Sequence, residues 1–462
     1  GANVLERLDT VSVIGVTSWL YKDPAALLCQ RLGIAPQRQV KAGMGGEKPV
    51  RLVHEAALAI QRGEAEAVAI VGGEAQNAFR KARRAKTQLP WTERASREEA
   101  WGDMVDTTLG VAPAARAIGV QAPLHVYPLF ENALSAKLGH TPTEALRHSA
   151  DLWSEYARVS AGNPHAWSRA QPSPREIATI SEDNRLISFP YPKWTVANDS
   201  VNQSAAVIVA SYAFAKRLGV SDDRLVHFHS GAAAAEPADF LLRGRYDAYP
   251  ALEATLAAAA NAVGDAGAFD LTEIYSCFPV VPKAAIDVLR ESGLPEGAAP
   301  TVTGGLTFFG GPLNNYMTHA ICAMTRQLRG GEGRLGLLYG QGGAMTKHHA
   351  LVLSASPTGA PLAEDYSAQD AAEARRTDAP PVVSEYTGAG SIETYTAFYG
   401  RDGEPQRGVV IALTPAGERV LAYCPDDDEA SLLALTNFDR NAVGLEGDVR
   451  PAANGALRWR AA

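Results

Sequence analysis

Cysteine is scarce in this chain: four in 462 residues, Cys29, Cys277, Cys322 and Cys424, with no two placed as a CxxC pair. Such spacing excludes a disulfide framework and fits a reducing compartment, so a cytoplasmic location is expected. Long apolar runs are missing too, and none approaches the roughly 18 residues that cross a bilayer. The opening GANVLERLDT has neither the basic nor the apolar stretch of a signal peptide. Basic residues are not in excess. The net charge of −8 argues against a nucleic-acid binder, which needs a positive face. The ten histidines form no HExxH, so no metal site is expected. What the chain does have is a 46% hydrophobic share, ample for large cores and for two to four domains.

Glycine clusters in two turns of the last third. One is Gly304 to Tyr316, GGLTFFGGPLNNY; the other is Tyr339 to Thr346, YGQGGAMT, after the apolar run Leu335 to Leu338. Backbone that bends this often without side chains brings main-chain N–H groups close to a ligand.

Around these turns short apolar runs alternate with amphipathic helices, the pattern of an α/β protein. Strands are expected at Thr10–Gly15, Ala67–Gly73, Ala205–Ser211, Phe269–Tyr275, Leu335–Tyr339 and Ala350–Ser356. Helices are expected from Pro49 to Gln61, Tyr212 to Leu218, Val281 to Ser292 and Tyr316 to Leu328. Trp91 to Arg185 is irregular, with helices near Pro128–Leu138 and Thr143–Ala161, and looks inserted. AAVIVAS in the first half echoes HALVLSAS in the second, an echo that chance explains as well as duplication does. Residues 357–381, rich in Ala, Pro and acids, suggest a linker. Beyond it TYTAFYG, RGVVIALT and RVLAYCP, separated by turn signals, predict a small β-barrel over 382–462.

Four segments in order carry a family resemblance: TVANDSVNQSAAVIVAS at Thr195–Ser211, YSCF at Tyr275–Phe278, the GGL…GGP turn, and YGQGGA. Over residues 1 to 356 the chain resembles the thiolase superfamily, nearest to its sterol-carrier-type branch and to bacterial thiolase-like proteins. The resemblance implies two βαβαβ halves, 1–215 and 216–356, packed as a five-layered sandwich, with a loop domain at 91–190. It also implies a first strand and helix ahead of Val4, and likens the C-terminal barrel to an OB-like domain. A coenzyme A thioester is implied as substrate and no bound cofactor is expected. Both a homodimer and a monomer are open.

The resemblance places catalytic positions on this chain, and many carry other letters. The nucleophilic cysteine falls at or next to Gly46, in Gly43-Met44-Gly45-Gly46-Glu47-Lys48-Pro49. Glycine forms no acyl-enzyme, so acyl transfer by that route is not expected. In the HDCF-like stretch Cys277 is kept as an acid/base candidate, and Tyr275 replaces the histidine. Gly310-Gly311-Pro312 matches the GHP motif with Gly311 in place of its histidine, which removes a donor from the oxyanion hole. Tyr339 takes the place of the CxG cysteine, as tyrosines do in thiolase-fold aldolases. Tyr275, Cys277, Tyr339 and His319 are therefore the catalytic candidates. Gly46, Gly310, Gly311, Asn314, Asn315 and Gly342 are the candidates for binding the thioester. Each has a plain structural alternative: a cysteine after an apolar strand is commonly core filler, and Asn314 and Asn315 suit the cap of the helix at Tyr316. His348 and His349 are expected on opposite faces of their strand, at least one of them at the surface.

Three functions remain open on these residues. The first is aldol-type or Claisen-type C–C chemistry on an acyl-CoA without an acyl-enzyme. The second is a non-catalytic binding subunit that keeps the pocket. The third is nucleic-acid binding through the barrel, which its excess of acids over bases disfavours.

Overall fold

The structure, a computed structural model, describes residues 4–101 and 111–462. Residues 102–110 of the expected insertion lie outside the described residues. In the first half β1 (Thr10–Val13), β2 (Arg38–Lys41) and β3 (Ala67–Ala75) alternate with helices Pro24–Leu32 and Lys48–Gln61. The insertion follows, ending in the short strands β4 (Leu186–Ser188) and β5 (Tyr191–Pro192), and the chain returns through β6 (Asn202–Ala210). The second half supplies β7 (His227–Ala235), β8 (Leu271–Ile274), β9 (Leu335–Gly342) and β10 (Lys347–Ser354).

Two four-stranded sheets result, ordered β2-β1-β3-β6 and β7-β10-β9-β8. In the first, β6 runs antiparallel to β3; in the second, β10 runs antiparallel to both neighbours. β9 and β10 are buried almost throughout, as expected for near-continuous apolar runs covered on both faces. β10 is flanked on both sides, whereas the outer edge of β6 meets no strand among the described residues.

Two helices fill the space between the sheets. Lys48–Gln61 has Pro49 in its first turn and buries Val50, Val53, His54, Ala57 and Leu58 at helical spacing. Tyr316–Arg329 does the same with Tyr316, Met317, Ala320, Ile321 and Met324. Each touches strands of both sheets, and the two touch each other. The α/β sandwich is thus the expected one, and its central layer brings the starts of the two helices together.

Several boundaries differ from expectation. The first strand stops at Val13, before the glycine at position 15. The helix expected near Pro128–Leu138 begins at Pro123 and carries Pro128 inside it. The helix expected near Thr143–Ala161 runs Pro142–Gly162 and opens on a capping box in which Thr141 and Glu144 satisfy each other's backbone N–H. The stretch 357–381 holds a helix, Gln369–Glu373, whose Ala372 packs with Ala368 on Ala251 and Ala254.

At the C-terminus β11 (Gly388–Tyr399), β12 (Pro405–Leu413), β13 (Arg419–Cys424), β14 (Glu446–Pro451) and β15 (Leu457–Ala461) form a closed barrel. Its ring order is β12-β13-β15-β14-β11, closing back onto β12. Period-two alternation gives β12 two apolar faces. Val410 and Ala412 point into the barrel with Tyr395 and Trp459, while Val409 and Ile411 join the core of the main body with Leu421 of β13. β4 and β5 extend the sheet from β11, so the insertion and the barrel are stitched together.

Candidate functional site

The site forms where the two central helices begin. Gly45 donates its N–H to Asn314 Oδ1 at 2.9 Å, and Asn314 Nδ2 donates to the carbonyl of Gly15 at 2.9 Å. Asn314 therefore ties the turn before one helix to the turn before the other and does not cap its own. Asn315 sits at the N-cap position but makes no capping bond; its amide lies against Gly72, where a Cβ would overlap it. The capping expected of this pair is corrected accordingly.

Gly46 faces the end of β9. A Cβ there would overlap the Tyr275 hydroxyl and the Gln341 carbonyl oxygen. The space in which a nucleophile's side chain would project is thus already filled. Tyr275 follows β8, donates its N–H to the carbonyl of Tyr339 at 3.1 Å, and sets its ring edge-on to Tyr316 at 5.7 Å. Burial, then the neighbouring Cys277 and Glu47, push its hydroxyl well above the usual tyrosine range.

Cys277 is buried beside it. Gln341 Nε2 donates to its sulfur at 3.3 Å and to the Tyr127 hydroxyl at 2.5 Å; that hydroxyl in turn donates to the carbonyl of Gly343 at 2.7 Å. Burial pushes the Cys277 thiol up to about 12, so at neutral pH it is a thiol. A neutral thiol in this setting donates or shares a proton but is a poor nucleophile.

Tyr339 turns elsewhere. Its hydroxyl lies 2.7 Å from His348 Nδ1, and His348 Nε2 lies 3.1 Å from the carbonyl oxygen of Met345. A carbonyl only accepts, so Nε2 carries the proton, Nδ1 accepts, and the Tyr339 hydroxyl donates. Burial pushes His348 down to about 3, which keeps it neutral. On the other face of the strand, His349 shares a 3.0 Å hydrogen bond with His54, and Gly231 leaves the room for the His54 ring. His348 and His349 do point to opposite faces, but both are buried, which corrects the expected surface position.

The remaining candidates lie apart. His319 packs edge-on to Phe309 at 5.5 Å and shares no hydrogen bond with Cys277, Tyr275 or Tyr339 among the described residues. Burial pushes it down to about 4. Gly310, at φ 115°, packs on Gln203, and Gly311 donates its N–H to the carbonyl of Asn198 at 2.8 Å. That turn braces the start of β6. The structure thus brings Gly46 against Tyr275, with Cys277, Gly342 and Asn314 around the same turn, and His319, Gly310 and Gly311 lie against other residues.

Glu47 is the residue that sequence reasoning passed over. It stands at the N-cap position of the Lys48–Gln61 helix, 2% exposed, with neither carboxylate oxygen hydrogen-bonded to another of the described residues. Gly45 and Gly342 make room for it; a Cβ at either would overlap the carboxylate. Burial, opposed by Lys48, Lys347, the residue's own backbone N–H and Arg51, pushes its carboxyl above the usual range. A cleft of about 340 Å³ reaches it, lined by Arg51, Lys347, His349 and Tyr366 among others, with Glu364 to Gln369 along its rim. The available signal was a carboxylate inside a glycine turn just ahead of a helix-starting proline. Gln341 and Tyr127 were missed as well, because only the folded chain brings them to Cys277.

The two packed α/β halves, joined by central helices that start at one buried cluster, define a thiolase fold. Comparison with known proteins agrees. A family profile described as the thiolase-like protein type 1 additional C-terminal domain matches residues 371–454. The crystal structure of a monomeric SCP2-thiolase like protein type 1 from Mycobacterium smegmatis aligns with a TM-score of 0.82 at 27% identity, covering 99% of this chain and 90% of that one. Human mitochondrial 3-ketoacyl-CoA thiolase in complex with CoA aligns with a TM-score of 0.53 at 16% identity, covering 76% of this chain and 87% of its own. The dimeric peroxisomal thiolase of Saccharomyces cerevisiae aligns with a TM-score of 0.52 at 14% identity, covering 76% and 85%. The last two share the fold. No curated protein matches at a significant level. The chain has the thiolase fold, and its likeness to the type 1 thiolase-like protein extends through the C-terminal barrel.

Proposed function

We propose that this chain binds an acyl-CoA thioester and forms no acyl-enzyme, leaving it the C–C chemistry of a carbon next to the thioester carbonyl, aldol-type or Claisen-type. One observation carries the reading: the Tyr275 hydroxyl and the Gln341 carbonyl occupy the side-chain space of Gly46. A covalent intermediate needs a side chain at that position, and this chain has replaced it with a hydrogen-bond donor. A neutral tyrosine donor next to a neutral thiol suits an oxygen that becomes negative without bonding to the protein. The human thiolase whose fold is shared is described in complex with CoA, which supports a CoA thioester as the ligand class. A monomer is the proposed working state, since the Mycobacterium smegmatis relative is described as monomeric.

Nucleic-acid binding through the barrel gains nothing from the packing. OB folds read oligonucleotides on the face of their second and third strands. In this chain that face, with Val409, Ile411 and Leu421, is buried in the main body.

The test uses acetoacetyl-CoA with and without CoA. Saturable thioester binding by calorimetry, no thiolysis and no acetyl adduct in the intact mass are expected. Thiolysis through an acetylated protein would overturn the reading.

A further inference from the structure

We propose that Glu47 is the proton-transfer residue of this site, its carboxylate removing and returning a proton at the carbon next to the thioester carbonyl. The inference rests on the reading that the site takes an acyl-CoA thioester. Three observations carry it. The side chain is 2% exposed, and neither oxygen has a hydrogen-bond partner among the described residues beyond the residue's own backbone N–H. A buried carboxyl without other partners carries a desolvation cost that structure alone does not explain. Two glycines, Gly45 and Gly342, leave the space in which it sits. It also lines the cleft, and the residue before it in the chain, Gly46, lies against the Tyr275 hydroxyl.

Other groups that face this position are already engaged or are cations. His348 is held by Tyr339 and Met345, and His349 by His54. Lys48 and Arg51 come from the same helix and Lys347 from β10, while Glu364 is paired with Arg62 and Gln61 and Asp365 accepts from the Ser367 N–H. Burial, the largest influence on Glu47, makes its carboxylate a stronger base than an exposed one.

In the step, a C–H bond next to the thioester carbonyl breaks and its electron pair becomes the C=C bond of an enolate. The carbonyl π pair moves onto oxygen, and the proton ends on Glu47. The reverse step protonates the carbon released when a C–C bond is cleaved. No oxidant, reductant or metal takes part.

Acetyl-CoA in D2O reports this half-reaction as loss of the methyl proton signal in NMR. The full chain is expected to catalyse exchange. Glu47→Gln, nearly isosteric, should slow it by at least about 100-fold while changing acetyl-CoA affinity by less than about threefold. Glu47→Ala should regain exchange when formate is added, because formate fits the space the side chain leaves. Exchange by Glu47→Gln within about tenfold of the unaltered chain would overturn the assignment and leave the thioester reading intact. So would thioester binding without any exchange in the unaltered chain. Absence of acetyl-CoA binding would overturn both.

Discussion

At position 46 the neighbours, not the backbone angles, demand glycine. Gly46 has no positive φ, yet a Cβ would overlap the Tyr275 hydroxyl and the Gln341 carbonyl oxygen. The first is the end of a side chain and can yield; the second is backbone of β9 and cannot without disturbing the sheet. Gly46→Ala is therefore expected to cost about 1–3 kcal/mol, the usual range for overpacking, and Gly46→Cys at least as much without restoring thiolysis. Urea denaturation measures the cost. Gly162 provides the contrast: it ends a helix, no atom lies within 4 Å of its would-be Cβ, and its φ is not positive. Gly162→Ala should be neutral or slightly stabilising. Equal costs at the two sites would mean that Gly46 is not packed as described.

The elements around the site are held by one buried carboxylate. Glu273 of β8 accepts from Thr301 Oγ1 at 2.9 Å, Val302 N at 2.9 Å, Thr303 N at 3.0 Å and the Tyr316 hydroxyl at 2.5 Å. It thereby joins β8, the turn before Gly304 and the start of the Tyr316 helix. Burial outweighs these donors and pushes its carboxyl up to about 7. The folded state then keeps a proton that the unfolded chain releases near pH 4.3. Its contribution to stability is full below that pH and is lost as pH rises through about 7. The loss amounts to roughly 4 kcal/mol at most. Glu273→Gln cannot titrate, so the difference in unfolding free energy between it and the unaltered chain should shift in the variant's favour from pH 5 to pH 8. A constant difference would remove Glu273 from the titration. Part of this layout was legible in the sequence. β3 and β9 are apolar runs, and Tyr275 and Cys277 stand in a motif whose order survives. β7 was not legible, because HFHSGAAAA has little strand propensity and is held by pairing to β10 and by the alanine-rich Pro250–Asn261 helix lying on it. Glu47, Gln341 and Tyr127 were hidden for a related reason: their partners lie on other elements, and residue spacing does not encode approach.

Across the whole molecule the barrel is tied to the site through two buried arginines. Arg419, wholly buried on β13, pairs with Glu393 at 2.5 Å and donates to the carbonyls of Leu241 and Arg243, each at 2.6 Å. Arg243 in turn donates to the carbonyls of Ala344 and Met345, at 3.0 and 2.9 Å, in the turn that carries Gly342. The second glycine turn is thus braced from the barrel side. Arg419→Met keeps much of the side chain's bulk but strands Glu393 and two buried carbonyls. Breaking a buried pair in this way is expected to cost about 3–5 kcal/mol. The loss should be local first, because the barrel interior around Tyr395, Val410 and Trp459 is a cluster of its own. Hydrogen exchange measures this directly. Amides of the turn 343–346 and of the β12–β13 face against the body should lose protection, while those of β3 and β6 keep it. Unchanged protection in 343–346 would show that the barrel and the glycine turn are mechanically separate. Loss spread evenly over both sheets would show instead that the molecule opens as one unit.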